Sequence, residues 1–190
     1  RRVLFRSLWE LLQNARDCSQ GRPFSFNVAY KPTELTIQHD AGPFELREVV
    51  ALVEGDSSKQ RHSLQTTGRF GKGFLVTHVI STEVRVRGIL RHSDDRLFTF
   101  TFQLSRGGSE GEILQNIRKC AAALDEASAF EGSISETKFI YLLSPKDESR
   151  SYIEDALRGL KLHCPYLFSF IPELRRSEEH TSELQSRHNL

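Results

Sequence analysis

The chain has 190 residues, of which 38% are hydrophobic, and 26 basic against 25 acidic side chains give a formal net charge of +1. That length builds one domain with a proper core, while the balanced charge gives no reason to expect a nucleic-acid or membrane-binding face. No run is apolar and long enough to span a bilayer, and Cys18, Cys120 and Cys164, without metal-like spacing, read as thiols of a reducing, cytoplasmic compartment.

At the first end, Leu4-Phe5-Arg6-Ser7 can be encoded by CTC TTC CGA TCT, whose reverse complement encodes Arg176-Ser177-Glu178-Glu179 near the other end. Continued through His180 to Ser186, the whole resembles a translated sequencing adapter. Residues 1–7 and 176–190 are therefore expected to be scars, and 8–175 a domain truncated at both ends; the absence of Met agrees with that expectation.

Leu8 to Ser19 predicts a helix, with Leu8, Leu11, Leu12 and Ala15 as its apolar stripe and Gly21 and Pro23 as its stop. Glu10, Asn14 and Asp17 lie on another face, at i, i+4 and i+7, where one ligand can meet all three; a solvated polar face is the alternative. Phe24, Phe26, Val28 and Tyr30 alternate, as do Leu35 and Ile37 after Lys31-Pro32-Thr33-Glu34, which predicts a hairpin. Its second strand ends at His39-Asp40-Ala41-Gly42, so Asp40 sits at a strand end beside a glycine that frees space. It is either an ordinary turn residue or a carboxylate awaiting a donor such as the amino group of a base.

Glu45 to Glu54 predicts a short helix, and the polar stretch from Gly55 to Gly68, with Ser57-Ser58-Lys59, a lid. Thr67-Gly68-Arg69-Phe70-Gly71-Lys72-Gly73 follows and opens a helix expected over 71–80. Its glycines allow close backbone approach, and the adjoining helix start suits phosphate. The spacing is neither a dinucleotide fingerprint nor a P-loop, because Gly73 stands where the latter needs Ser or Thr. Further on, strands are expected at 83–87, 97–104 and 137–143, helices at about 110–127 and 152–160, and an extended apolar tail between Pro165 and Pro172. Strands pairing largely with sequence neighbours, beside helices with single apolar stripes, give an α+β fold: a two-layer α/β sandwich with a mixed, mainly antiparallel sheet and helices on one face.

In this order the pieces resemble the ATP-binding domain of the GHKL superfamily (gyrase B, heat-shock chaperones, histidine kinases, MutL), the Bergerat fold, over essentially all of 8–175. Glu10 to Asp17 is similar to the N-box, and Asp40-Ala41-Gly42 to the adenine motif, with Phe44 where a further glycine often stands. Thr67 to Phe74 is similar to the glycine box in its heat-shock chaperone form, and Thr137 stands where the family places a threonine near the base. The glycine box and the tail after Thr137 look most like the heat-shock chaperone and sacsin-type branch; the Ser57-Ser58-Lys59 lid also resembles the MutL and MORC branch.

The resemblance implies ATP and Mg2+ as ligands. It implies Glu10 as general base on the attacking water, Asn14 as the magnesium ligand, and Asp17 supporting the pocket through water. Asp40 would accept from the adenine amino group, with Gly42 and Thr137 completing that end. Gly68, Phe70, Gly71 and Gly73 would hold the phosphates, with Lys59 closing from the lid, Lys72 either helping or facing solvent, and His39 structural rather than catalytic. It also implies self-association through elements ahead of residue 8. The activity it implies is ATP hydrolysis driving conformational change in a chaperone-like or sacsin-like protein; the alternatives are a non-hydrolysing ATP-regulated switch and a histidine kinase catalytic domain.

Overall fold

The computed structural model describes residues 2–55, 72–132, 135–144, 153–155, 157–159 and 170–181. The first helix, α1 (Arg2–Ser19), buries Leu8, Leu11, Leu12, Ala15 and Cys18, the residues that a 3.6 period places on one side. It therefore begins within the stretch expected to be a scar. The chain leaves it through Gln20 and Gly21, both with positive φ, and Ser19 ties back to the carbonyl of Arg16 at 2.7 Å.

Strands β1 (Phe24–Lys31) and β2 (Glu34–His39) form the expected antiparallel hairpin, in register from Phe26 against His39 to Lys31 against Glu34. Phe24, Phe26, Val28, Tyr30, Leu35, Ile37 and His39 all turn to the buried face. The two-residue strand β3 (Phe44–Glu45) leads into α2 (Leu46–Glu54), which starts with a reciprocal Glu45–Glu48 capping box and ends at Gly55 in the left-handed region. The helix α3 (Lys72–Thr77) is shorter than the 71–80 expected. The Thr77 hydroxyl bonds back to the Phe74 carbonyl at 2.7 Å, and the N–H groups of His78, Val79 and Ile80 turn to carbonyls three residues back, tightening the chain out of the α-helix.

The remaining strands are β4 (Glu83–Arg91), β5 (Leu97–Ser105), β6 (Ser128–Ala129), β7 (Thr137–Leu142) and β8 (Leu174–Thr181), with α4 (Glu110–Asp125) between β5 and β6. Pairing of sequence neighbours holds for β1–β2, β4–β5 and β5–β6, but β7 inserts between β2 and β4, antiparallel to both. The sheet order is β6-β5-β4-β7-β2-β1-β8, with β3 parallel to β4 and β8 parallel to β1. The fold is thus the mixed, mainly antiparallel sheet with a helix layer that the sequence predicts. Inward Val84, Val86, Phe100, Phe102, Phe139 and Tyr141 join the helices in one core, while Arg85, Arg87, Thr101 and Gln103 face outward.

Of the late helix, 153–155 and 157–159 are helical, with Ile153 and Leu157 buried. Residues 165–169 of the expected tail lie outside the described residues, and at Pro172 and Glu173 the chain turns, Leu174 N–H donating to the Ile171 carbonyl at 3.0 Å. Residues 176–181, expected to be scar, run as the second part of β8. Among the described residues no helix is long and apolar enough to cross a membrane, and neither Cys18 nor Cys120 is in a disulfide.

Candidate functional site

The insertion of β7 next to β2 brings together two residues almost a hundred positions apart. His39, the last residue of β2, pairs with Thr137, the first of β7, and Asp40 follows immediately, exposed at that end of the sheet. The Asp40 carboxylate is fixed there: one oxygen accepts from the Ser25 N–H at 2.6 Å, and Asp40 N–H donates to the Ser25 carbonyl at 3.4 Å. A carboxylate holds two acceptor oxygens, so this anchoring is compatible with receiving a donor from outside.

Gly42 shows why the loop needs that residue. Its φ is +144°, and a Cβ there would stand 3.0 Å from both the Cys18 carbonyl and the Arg22 guanidinium. The loop after β2 thus lies directly on the last turn of α1, and Ala41 within it is buried. That contact sets the C-terminal end of α1 against the Asp40–Gly42 loop. Asn14 is 6% exposed; Glu10 and Asp17 are half-buried. Over the seven steps from Glu10 to Asp17 an α-helix rises about 10 Å, so the face can follow an elongated ligand. Glu10 lies 3.6 Å from Arg6, one turn earlier.

The α3 helix lies alongside. Ser7 donates to the Val76 carbonyl at 3.2 Å, tying α1 to α3, and Lys72 and Gly73 form the first turn of α3. Lys59, Gly68, Phe70 and Gly71, with the lid expected over 55–68 beyond Gly55, lie outside the described residues. The structure therefore brings Asp40, Gly42 and Thr137 together at one sheet end, against the helix that carries Glu10, Asn14 and Asp17.

Two buried polar atoms lie at this end of the sheet. Thr137 is fully buried and its hydroxyl has no partner among the described residues; the same holds for Nδ1 of His39. Burial pushes the His39 imidazole down to about 4, against the opposing pull of Asp40, so it is neutral at physiological pH. Unpartnered buried polar atoms are costly in a core. For a metal, the described residues include no group of three or more His, Cys, Asp and Glu arranged to hold one. A magnesium ion at Asn14 fits this donor set only as an ion carried largely by phosphates and water, which is how that ion is commonly bound.

The sequence reading missed Ser25, whose N–H anchors Asp40, and the contact of Gly42 with Cys18 and Arg22. It also left the pairing of His39 with Thr137 unseen. The alternation of Leu35, Ile37 and His39 already puts His39 on the buried face; nothing local to Ser25 announces its role.

No protein-family model matches the chain, and neither does any curated protein. Solved structures do. The ATPase region of Saccharomyces cerevisiae topoisomerase II superposes with a TM-score of 0.59 at 14% identity, covering 92% of this chain and 47% of that one. Its complex with ICRF-187 (dexrazoxane) gives 0.56 at 12%, with the same coverage. The B-subunit of the DNA gyrase from Myxococcus xanthus gives 0.51 at 12%, covering 92% and 46%. The chain thus spans about half the length of these neighbours, and identities this low speak for architecture. With its mixed sheet and helix layer, the chain has the fold of the topoisomerase II ATPase region and of the gyrase B-subunit.

Proposed function

We propose that the chain is the ATP-binding module of a GHKL-type ATPase, taking up Mg-ATP and hydrolysing it to drive conformational change in a chaperone-like or sacsin-like protein, with 8–175 as the domain. The observation that carries the reading is the Asp40 carboxylate, anchored by the Ser25 N–H at 2.6 Å, next in the chain to His39, which pairs with Thr137, whose buried hydroxyl has no partner among the described residues. An acceptor-only group at that position selects a base with an exocyclic amino donor, as adenine has, over one with a carbonyl there. Gly42 lets the backbone approach the base, and Asp17 supports the pocket through water.

On this reading Asn14 contributes one neutral oxygen to magnesium, which when bound offsets charge on the triphosphate. The glycine box of Gly68, Phe70, Gly71 and Gly73 contributes backbone N–H groups to the phosphates, with Lys59 above them. Glu10, one turn before Asn14, orients water and takes its proton. The experiment is Glu10→Ala, assayed for ATP turnover and, separately, for ATP affinity: turnover is expected to fall at least 100-fold with affinity kept. Unchanged turnover refutes the assignment of Glu10.

The alternative reading, an ATP-regulated switch without hydrolysis, is separated by the same two assays: ATP bound by the wild-type chain with no turnover supports the switch. Self-association through elements ahead of residue 8 belongs to the same proposal.

A further inference from the structure

On the face of the sheet turned away from the core, β4 projects Arg85 and Arg87, both exposed. Two residues apart on one strand, they point the same way about 6.8 Å from each other. The register sets Lys138 of β7 directly opposite Arg87, and on the other side Thr101 and Gln103 of β5 opposite Arg87 and Arg85. Three cations thus stand together on an otherwise polar surface. Like charges directly opposite in a ladder cost stability, and an exposed strand position is better suited by threonine. The acidic side chains next along these strands are engaged elsewhere: Glu136 pairs with Lys138 at 2.9 Å, and Glu83 accepts from the Gln103 amide at 3.0 Å. Neither Arg85 nor Arg87 has a hydrogen-bond or ion-pair partner among the described residues. Two guanidinium forks at a set spacing with their donors unused suit a pair of carboxylate or phosphate anions.

We propose that this outer face of β4 and β7 docks an acidic protein segment in extended conformation, whose carboxylates at alternate positions pair one each with Arg85 and Arg87. Alternate residues of an extended chain point the same way about 6.8 Å apart, which is the repeat of the two arginines. Nucleic acid fits the surface less well. A single strand is held by aromatic side chains that stack on its bases, and those of β4, β5 and β7 all lie on the opposite face, as the alternation of Phe100, Phe102, Phe139 and Tyr141 shows. A duplex is held by a longer run of cations, commonly about six phosphate contacts or more, where this face offers the pair Arg85 and Arg87 beside a Lys138 already bound to Glu136. A short acidic segment needs only a few charges and leaves its uncharged side chains to Thr101 and Gln103. None of these residues belongs to the proposed ATP site.

The probe is a fluorescent peptide alternating glutamate with threonine, titrated with the full chain and followed by anisotropy at low and at physiological salt. Its glutamine counterpart and a labelled DNA duplex are titrated in parallel. The glutamate peptide is expected to bind, to weaken as salt rises, and to bind at least about 10-fold more tightly than the glutamine peptide. Arg85→Glu/Arg87→Glu should lower its affinity at least about 10-fold. Arg118→Glu/Lys119→Glu, which makes the same change in net charge at exposed positions of α4, should stay within about 2-fold. Arg85→Gln/Arg87→Gln takes the place of the reversal if that variant does not fold. Without peptide, Arg87→Thr should melt at the wild-type temperature or above, because the charge opposite Lys138 is gone. A folded wild-type chain that does not bind the glutamate peptide, equal losses in the two double variants, a duplex held more tightly than the peptide through the same arginines, or a destabilised Arg87→Thr overturns the proposal.

Discussion

Replacing Gly42 with alanine tests the contact that builds the site. The backbone there has φ +144°, a region that L side chains rarely adopt, which costs about 1–3 kcal/mol. The new Cβ would also stand 3.0 Å from two atoms. The Arg22 guanidinium can swing away, but its Nε then gives up a 3.2 Å bond to the Ser19 carbonyl. The Cys18 carbonyl belongs to the last turn of α1 and moves only with the helix. Strain and overlap together put the loss at about 3 kcal/mol, or roughly 10 °C in melting temperature for a domain of this size. Because relief requires moving the Asp40 loop away from α1, ATP affinity should fall at least about 10-fold. Gly21→Ala is the control: φ is +79° but no atom lies within 4 Å, so about 1 kcal/mol is lost and affinity is kept. Urea unfolding and calorimetry on the two variants give both readouts. Equal destabilisation, or Gly42→Ala binding ATP like the wild type, would refute the reasoning.

Two further predictions concern stability alone. The Ser109 side chain caps α4 and exchanges hydrogen bonds with Glu112, so Ser109→Ala should cost about 1 kcal/mol by urea unfolding. It should leave ATP affinity unchanged, since α4 packs on β5, which β4 and β7 separate from β2. The buried His39 makes stability fall in acid. Its folded-state value is about 4, below the unfolded 6.5, so between those values the unfolded chain takes a proton that the folded chain refuses. The penalty is absent above pH 6.5, reaches roughly 2 kcal/mol at pH 5 and levels off below pH 4. His39→Phe should remove that share of the slope between pH 7 and pH 5, and an unchanged slope would show that His39 does not carry it.

The elements with strong periodicity were legible in the sequence. The α1 stripe, the β1–β2 hairpin and the capped α4 follow from local spacing and chemistry that the tertiary fold reinforces. Strands β3 and β6, with two residues each, are too short to show alternation and exist only through their partners β4 and β5. Local pattern also does not fix strand order. That β7 inserts beside β2 is a long-range choice, and it alone brings Thr137 to His39 and Asp40. The candidate residues were therefore readable one motif at a time, while their meeting point was not. The roles of Ser25 and Cys18 rest on backbone atoms, which every residue type carries, so no side-chain pattern marks them. His39 was legible as buried from the alternation of β2, but its unanswered nitrogen appears only once its neighbours are in place.

The most direct measurement of the central claim is Mg-ATP titration of the chain by calorimetry, with Asp40→Asn beside it. Asparagine can still accept from the Ser25 N–H, so the loop and the fold are kept, but its amide can turn a donor toward the adenine amino group where the carboxylate only accepts. The account predicts binding by the wild type and at least about 100-fold weaker binding by the variant, with melting temperatures within a few degrees of each other. A folded wild-type chain that takes up no ATP, or an Asp40→Asn variant that binds it equally well, would contradict the account.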